Sequence, residues 1–129
     1  MSNCTITLRS TIDENTTTSK FKGTLFIDGK NAEMCYVDGK ANVSITLTPT
    51  LVEITRRGDY TFCLPLQAGK QTMGTIGING AEGAVSIACE RAEYTLKEDG
   101  LLLSVSYALI FGAETQKTNL CLCAQTERK

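Results

Sequence analysis

Apolar and polar residues alternate along most of this chain, which is the pattern of β-strands that bury one face. Near the N-terminus, Cys4, Ile6 and Leu8 alternate with Thr5 and Thr7. The same period of two recurs in about ten segments, and no segment shows a helical period. Threonine is frequent, and its β-branched side chain fits a pleated surface better than a helix. The pattern therefore predicts an all-β chain.

Short turn sequences separate these segments. Asp28-Gly29, Asp38-Gly39 and Asn79-Gly80 are hairpin signals, because glycine and asparagine accept the positive φ that tight hairpins require. Longer connections are expected only at a polar loop over residues 13–19 and at residues 67–70. Nearly every link is then a hairpin, so strands adjacent in sequence should be adjacent in space.

This connectivity predicts an antiparallel up-and-down meander of about 8–10 strands that closes into a β-barrel. A two-sheet sandwich is the alternative, but its long crossovers find few candidate loops here. The length of 129 residues suits a single domain over residues 1–129. Gly74 and Gly77 punctuate one predicted strand, Gln71–Ile78, and predict a kink or bulge there.

Composition excludes several classes of function. The chain has thirteen Lys and Arg and fourteen Asp and Glu, so its formal net charge is −1. This near balance of charge argues against nucleic acid or an anionic membrane surface as a partner. No apolar run is long enough for a membrane-spanning helix, and Met1–Cys4 lacks the features of a signal peptide, so a cytoplasmic location is expected. The chain has no His, no nucleophile motif and no paired-acid pattern, so we expect no enzyme activity.

The six cysteines are expected to be reduced thiols in the barrel core or wall. Cys121 and Cys123 form a Cys-X-Cys pair, but no second close pair accompanies them as a zinc site would require. Neither a metal site nor a cofactor is therefore predicted.

Arg56 shares its strand parity with Val52 and Ile54, so its side chain is expected to point into the barrel. An interior guanidinium must be paired or hydrogen-bonded. Two interpretations stay open: a clamp for the carboxylate of a ligand, and a structural arginine at the barrel mouth that bonds carbonyls or an acidic partner. Arg91 follows the parity of Val85 and Ile87 and is also expected inside, unless a bulge reverses the alternation.

Tyr36 and Tyr107 alternate with apolar residues and are expected on the interior wall. A phenol hydroxyl there would orient a ligand or bond a neighbouring backbone group. We take both tyrosines, with Arg56, as candidate ligand-binding residues.

Ile54, Arg56 and Gly58 form an Ile-X-Arg-X-Gly strand end, and Tyr36 precedes Asp38 in a Tyr-X-Asp segment. These motifs resemble the YwiB-like family of small bacterial proteins, which tends to show Tyr-X-Glu at the second of them. The segment 100–107 resembles the family's glycine-initiated apolar strand that ends in tyrosine.

The resemblance covers roughly residues 20–124 and implies a calycin-like closed barrel, distantly like lipocalins, with no known activity. Around Met73–Gly77 the family tends to show an aromatic residue, a Thr-Pro and a Gly, whereas this chain reads Met-Gly-Thr-Ile-Gly. Met73 is the fourth candidate ligand contact.

Two hypotheses of function follow. The first is a non-enzymatic barrel that holds a small apolar or amphipathic ligand, including one that bears a carboxylate. The second is a structural or interaction module that acts as a homodimer, joined through an edge or a barrel face, without a small-molecule ligand.

Overall fold

The computed structural model describes residues 2–127, and these residues form ten β-strands. In chain order the strands are β1 (Ser2–Ile12), β2 (Asn15–Asp28), β3 (Asn31–Asp38), β4 (Ala41–Thr48), β5 (Leu51–Arg57), β6 (Tyr60–Leu66), β7 (Gln71–Ile78), β8 (Ala81–Lys97), β9 (Gly100–Phe111) and β10 (Glu114–Thr126). Over residues 2–127 there is no α-helix, and hence none that could cross a membrane.

Every strand pairs antiparallel with its neighbours in sequence, and β1 closes the ring by pairing with both β2 and β10. Along that closing seam Cys4 lies opposite Thr126, and Ile12 lies opposite Thr118. The fold is therefore a closed, calycin-like, up-and-down barrel of ten strands. The predicted meander and its closure are confirmed.

Tight turns join most strands, as the hairpin signals predicted. In the β7–β8 turn both Asn79 and Gly80 have positive φ, at 54° and 82°, as a type I′ hairpin turn requires. Gly29 and Gly39 supply positive φ in the turns after β2 and β3.

The polar loop predicted over residues 13–19 is wrong in its extent. The turn comprises only Asp13 and Glu14, and β2 begins at Asn15. The Thr11 and Thr16 hydroxyl oxygens lie 2.9 Å apart across the hairpin. The start of β2 pairs with β1 although neither of its faces is buried. Two reasons are that β-branched threonines favour an extended strand and that the pairing with β1 provides hydrogen bonds for the backbone on one side.

The bulge predicted for β7 is also wrong, because β7 pairs with β8 without a shift of register. Gly74 serves close packing instead: an added Cβ would lie 2.6 Å from the Cys63 carbonyl oxygen and 2.9 Å from Ile87 Cδ1. The register shift lies in β8, between Cys89 and Arg91. Arg91 therefore faces outward, with 57% of its side chain exposed, and its predicted interior position is wrong.

The interior differs between the two ends of the barrel. We call the end with turns at residues 29–30, 49–50, 67–70 and 98–99 the closed end, because Leu47, Leu66 and Leu101 there are fully buried. Beyond the bulge Tyr94 turns inward, and its hydroxyl donates a hydrogen bond of 2.5 Å to the Lys30 carbonyl oxygen. This contact ties β8 to the β2–β3 turn across the barrel end.

The opposite end carries the turns at residues 13–14, 39–40, 58–59, 79–80 and 112–113, and we call it the open end. The candidate site lies there.

Candidate ligand cavity at the open end

A cavity of about 360 Å³ occupies the open half of the barrel, and we call it the open-end cavity. Its apolar floor consists of buried side chains from β4, β5, β6, β9 and β10, namely Ile45, Ile54, Leu64, Leu103 and Leu122. For scale, an engineered apolar cavity of about 150 Å³ accommodates benzene. The interior therefore has room for a small organic molecule.

Arg56 on β5 lies in the cavity wall on the side of the open end, which we call the upper wall, and 12% of its side chain is exposed. Its Nη1 donates to Asp38 Oδ2 at 3.4 Å, and its Nη2 donates to Asp59 Oδ1 at 3.2 Å. The Tyr60 ring lies under the guanidinium, with its centroid 4.1 Å from Cζ. Arg56 thus points inward as its parity predicts, and the acidic-partner interpretation describes its observed contacts.

The Arg56 Nε atom is buried and has no hydrogen-bond partner among residues 2–127. A buried donor without an acceptor costs about 1–3 kcal/mol relative to a bonded one. The cluster of Arg56, Asp38 and Asp59 therefore keeps one donor unsatisfied beside the cavity.

Tyr36 on β3 contributes to the same wall and is 8% exposed. Phe21 stacks on it, with ring centroids 4.6 Å apart and planes inclined by 25°. Burial and the Asp38 carboxylate raise the pKa of Tyr36 to about 12, against the smaller opposing effect of Arg56. The phenol is therefore neutral, and its hydroxyl can donate a hydrogen bond at neutral pH.

Tyr107 on β9 lies in the facing wall, because β9 and β10 stand about half a barrel turn from β5. Burial raises the pKa of Tyr107 to about 12, although its hydrogen bond with the Thr118 side chain opposes that rise. Thr118, 5% exposed, sits opposite Tyr107 on β10. The two walls thus each carry polar groups above an apolar floor.

Alkaline unfolding is expected to report these two buried phenols. Between pH 10 and 12 an unfolded chain releases tyrosine protons that native Tyr36 and Tyr107 retain. The unfolded state then binds fewer protons, so the free energy of unfolding falls as pH rises through this range. The thiols of Cys4 and Cys89, whose pKa burial raises from 9.0, act in the same direction.

Urea unfolding at a series of pH values measures this fall. Tyr107→Phe should make it shallower above pH 10. Identical slopes for Tyr107→Phe and the parent protein would contradict the assignment.

Three largely apolar side chains line the cavity mouth and are partly exposed. They are Ile12, Tyr60 and Phe111, each 41–45% exposed. All three occupy inward positions at strand ends, where the barrel has no further layer to cover them. The mouth is therefore apolar enough to admit an apolar group.

Met73 does not lie at this cavity. It is 59% exposed on the outer face of β7, where its Sδ accepts a hydrogen bond from the Ser86 hydroxyl at 3.4 Å. Gly74 and Ile76 hold the inward positions of that strand. The structure brings together Arg56, Tyr36 and Tyr107 and leaves Met73 outside.

Five polar residues of the site were not among the candidates from sequence, namely the wall residues Ser10, Asp38, Gln116 and Thr118 and the Arg56 partner Asp59. Asp38 and Asp59 sit beside hairpin glycines and look like turn residues, while Gln116 and Thr118 lie in a polar stretch. Strand parity was the available signal, since Asp38 shares the parity of Tyr36, and Thr118 that of Leu120 and Leu122.

All six cysteines are free thiols. Cys4 and Cys89 are buried, whereas Cys121 and Cys123 lie exposed on the outer face of β10. Within the described part of the chain, no three Cys, Asp or Glu side chains are grouped so that they could hold a metal ion.

A trough of about 900 Å³ also runs along the outer wall. Small outward side chains in direct cross-strand register form its base, namely Thr24, Cys35, Ser44 and Thr55. This outer trough is wider than the open-end cavity, but it is shallow and open to solvent along its length, so it encloses a ligand less.

Comparison with known proteins agrees with the architecture. A family model described as a domain of unknown function (DUF1934) matches residues 4–122. The crystal structure of the ywiB protein from Bacillus subtilis matches with a TM-score of 0.82 and 16% identity, over 98% of this chain and 93% of that chain. No curated protein matches the chain. The resemblance to YwiB-like proteins is confirmed. At 16% identity, the structural match shows that the two proteins share a fold and shows nothing about function.

Proposed function

The chain belongs to the DUF1934 family, and from its open-end cavity we propose that it binds a small apolar or amphipathic ligand inside the barrel. The observation that supports this proposal is the division of the interior. Leu47, Leu66 and Leu101 fill the interior toward the closed end, whereas the open end keeps about 360 Å³ above an apolar floor. Pockets of roughly this size and character are typical of small-molecule sites.

The proposed binding is non-enzymatic. The two cavity tyrosines keep their protons well above neutral pH, so neither phenol supplies a base near pH 7. We place this function in the cytoplasm, where the exposed thiols of Cys121 and Cys123 would stay reduced.

Filling the cavity should abolish binding. Val43 lines the cavity on β4 beside Tyr36, so Val43→Phe introduces a ring into the space a ligand would use. Titration with the neutral dye 1-aminonaphthalene, whose emission shifts to shorter wavelength in apolar sites and which is small enough for the cavity, measures binding, and the chain has no Trp to interfere. We expect saturable binding to the parent protein and at least tenfold weaker binding to Val43→Phe.

The matched control is Val37→Phe, the same exchange at an outward position of β3 that is 56% exposed. It should bind the dye as the parent does. Equal binding by both variants, or no saturable binding by the parent, would remove the proposal.

A homodimer is the second candidate function, and the edge of β2 favours it. Over residues 15–22, β2 pairs with β1 but has no partner strand on its other side, since β3 pairs only with Gly23–Asp28. A second copy could add its own β2 there by antiparallel pairing. Light scattering after size exclusion distinguishes the candidates: a monomeric mass at high concentration argues against the dimer.

A further inference from the structure

Resting on the proposed function, we propose that the ligand's polar end is an uncharged hydrogen-bond acceptor, such as an amide or ester carbonyl, and that it binds beside Arg56. The ligand would thus be a neutral amphiphile. A carboxylate, which an interior arginine alone would favour, would bind more weakly.

The first argument is the charge at the upper wall. One guanidinium faces two carboxylates, at 3.4 Å and 3.2 Å, so the three side chains sum to a formal charge of −1. A ligand carboxylate would add a second net negative charge in a partly desolvated site, and like charges there repel strongly. A ligand ammonium would instead face the guanidinium.

The second argument is the inventory of donors. Nη1 and Nη2 already donate to Asp38 and Asp59, whereas Nε is buried without an acceptor. A carbonyl oxygen would satisfy this donor and bring no charge, once a small movement of the Arg56 side chain opened Nε to the cavity. The gain in binding free energy comes from pairing a buried N–H that otherwise lacks an acceptor. A neutral carbonyl group also loses less hydration free energy on entering the site than a charged group does.

The third argument is the position of the polar groups relative to the floor. Arg56 and Tyr36 lie above Ile54 and Ile45, so a molecule whose head meets Arg56 places its tail on the apolar floor. By the scale of benzene in about 150 Å³, the cavity holds a body of about 12–14 non-hydrogen atoms.

Three probes of one chain length test the head group. Decanamide, decanoate and decylamine differ only in their polar end, and each is titrated against bound 1-aminonaphthalene at pH 7. We expect decanamide to displace the dye at concentrations at least tenfold lower than decanoate or decylamine. Decanoate that displaces the dye as well as decanamide would overturn the inference.

A charge-removing variant tests the cause. Asp38→Asn/Asp59→Asn leaves Arg56 with its positive charge unbalanced, so the affinity for decanoate should rise at least tenfold, while that for decanamide changes less than threefold. The control Asp28→Asn/Glu53→Gln removes the same formal charge away from Arg56 and should leave all three affinities unchanged. Unchanged decanoate affinity in the first variant would also overturn the inference.

The two proposals fail in different ways. If the parent protein does not bind the dye, or Val43→Phe binds it normally, ligand binding in the cavity is wrong. If dye binding depends on Val43 but decanoate competes best, the cavity binds ligands and only the head-group assignment is wrong.

Discussion

Leu101→Ala is expected to lower the free energy of unfolding by about 2–5 kcal/mol, the usual range when a large aliphatic side chain is removed from a tight core. Leu101 is fully buried at the closed end, where it lies between Leu96 on β8 and Ala124 on β10. The rigid ring of strands cannot collapse onto the missing side chain, so a void should remain. Urea denaturation followed by far-ultraviolet circular dichroism measures the change.

Two further variants show whether location explains this cost. Leu102→Ala removes the same atoms from a residue that is 40% exposed on the outer face, and it should cost less than about 1 kcal/mol. Ile54→Ala enlarges a cavity that already exists, so it should cost less than Leu101→Ala. Equal losses for Leu101→Ala and Ile54→Ala would contradict the distinction between a packed end and a hollow end.

Gly100→Ala is expected to destabilise the barrel by about 1–3 kcal/mol or more, because it forces two strands apart. An added Cβ would overlap the Ala124 carbonyl oxygen of β10 and lie 3.2 Å from Gln125 Cα. Backbone atoms in a closed ladder cannot move aside as a flexible side chain can. The midpoint of thermal unfolding measures the effect.

Gly83→Ala is the matched control for this exchange. Gly83 also lies in a strand, has no positive φ, and would have no atom within 4 Å of an added Cβ. Alanine there should be neutral or stabilise by about 0.4–1 kcal/mol through the unfolded chain. A midpoint for Gly100→Ala as high as that of Gly83→Ala would contradict the prediction, because it would show that the β10 backbone moves away from the added Cβ at little cost in stability.

Strand parity gave most of the fold and part of the candidate site. Alternation alone predicted the inward positions of Arg56, Tyr36 and Tyr107. In a strand without a bulge, successive side chains point to opposite faces, so every second residue points inward. Hairpin chemistry gave the order of strands around the ring. These signals are local, and so they survive in a single sequence.

What the sequence could not provide depends on distant parts of the chain. The inserted residue near Glu90 reversed Arg91, and nothing in its neighbours distinguishes it from a regular strand residue. The polar segment 15–19 forms a strand only because β1 lies beside it. Asp38 and Asp59 reach Arg56 from two different turns, and the cavity volume depends on the tilt and stagger of all ten strands.

The residue inserted in β8 near Glu90 also affects access to the open-end cavity. On its open-end side β8 lines the interior with Val85 and Ile87, and on its closed-end side the reversed strand turns Tyr94 inward, where the hydroxyl bonds the Lys30 carbonyl oxygen. Under the proposed function, a ligand would enter and leave through the open end. A ligand that entered with its apolar end first would leave with its polar end first, and any surface that received it would contact that polar end first.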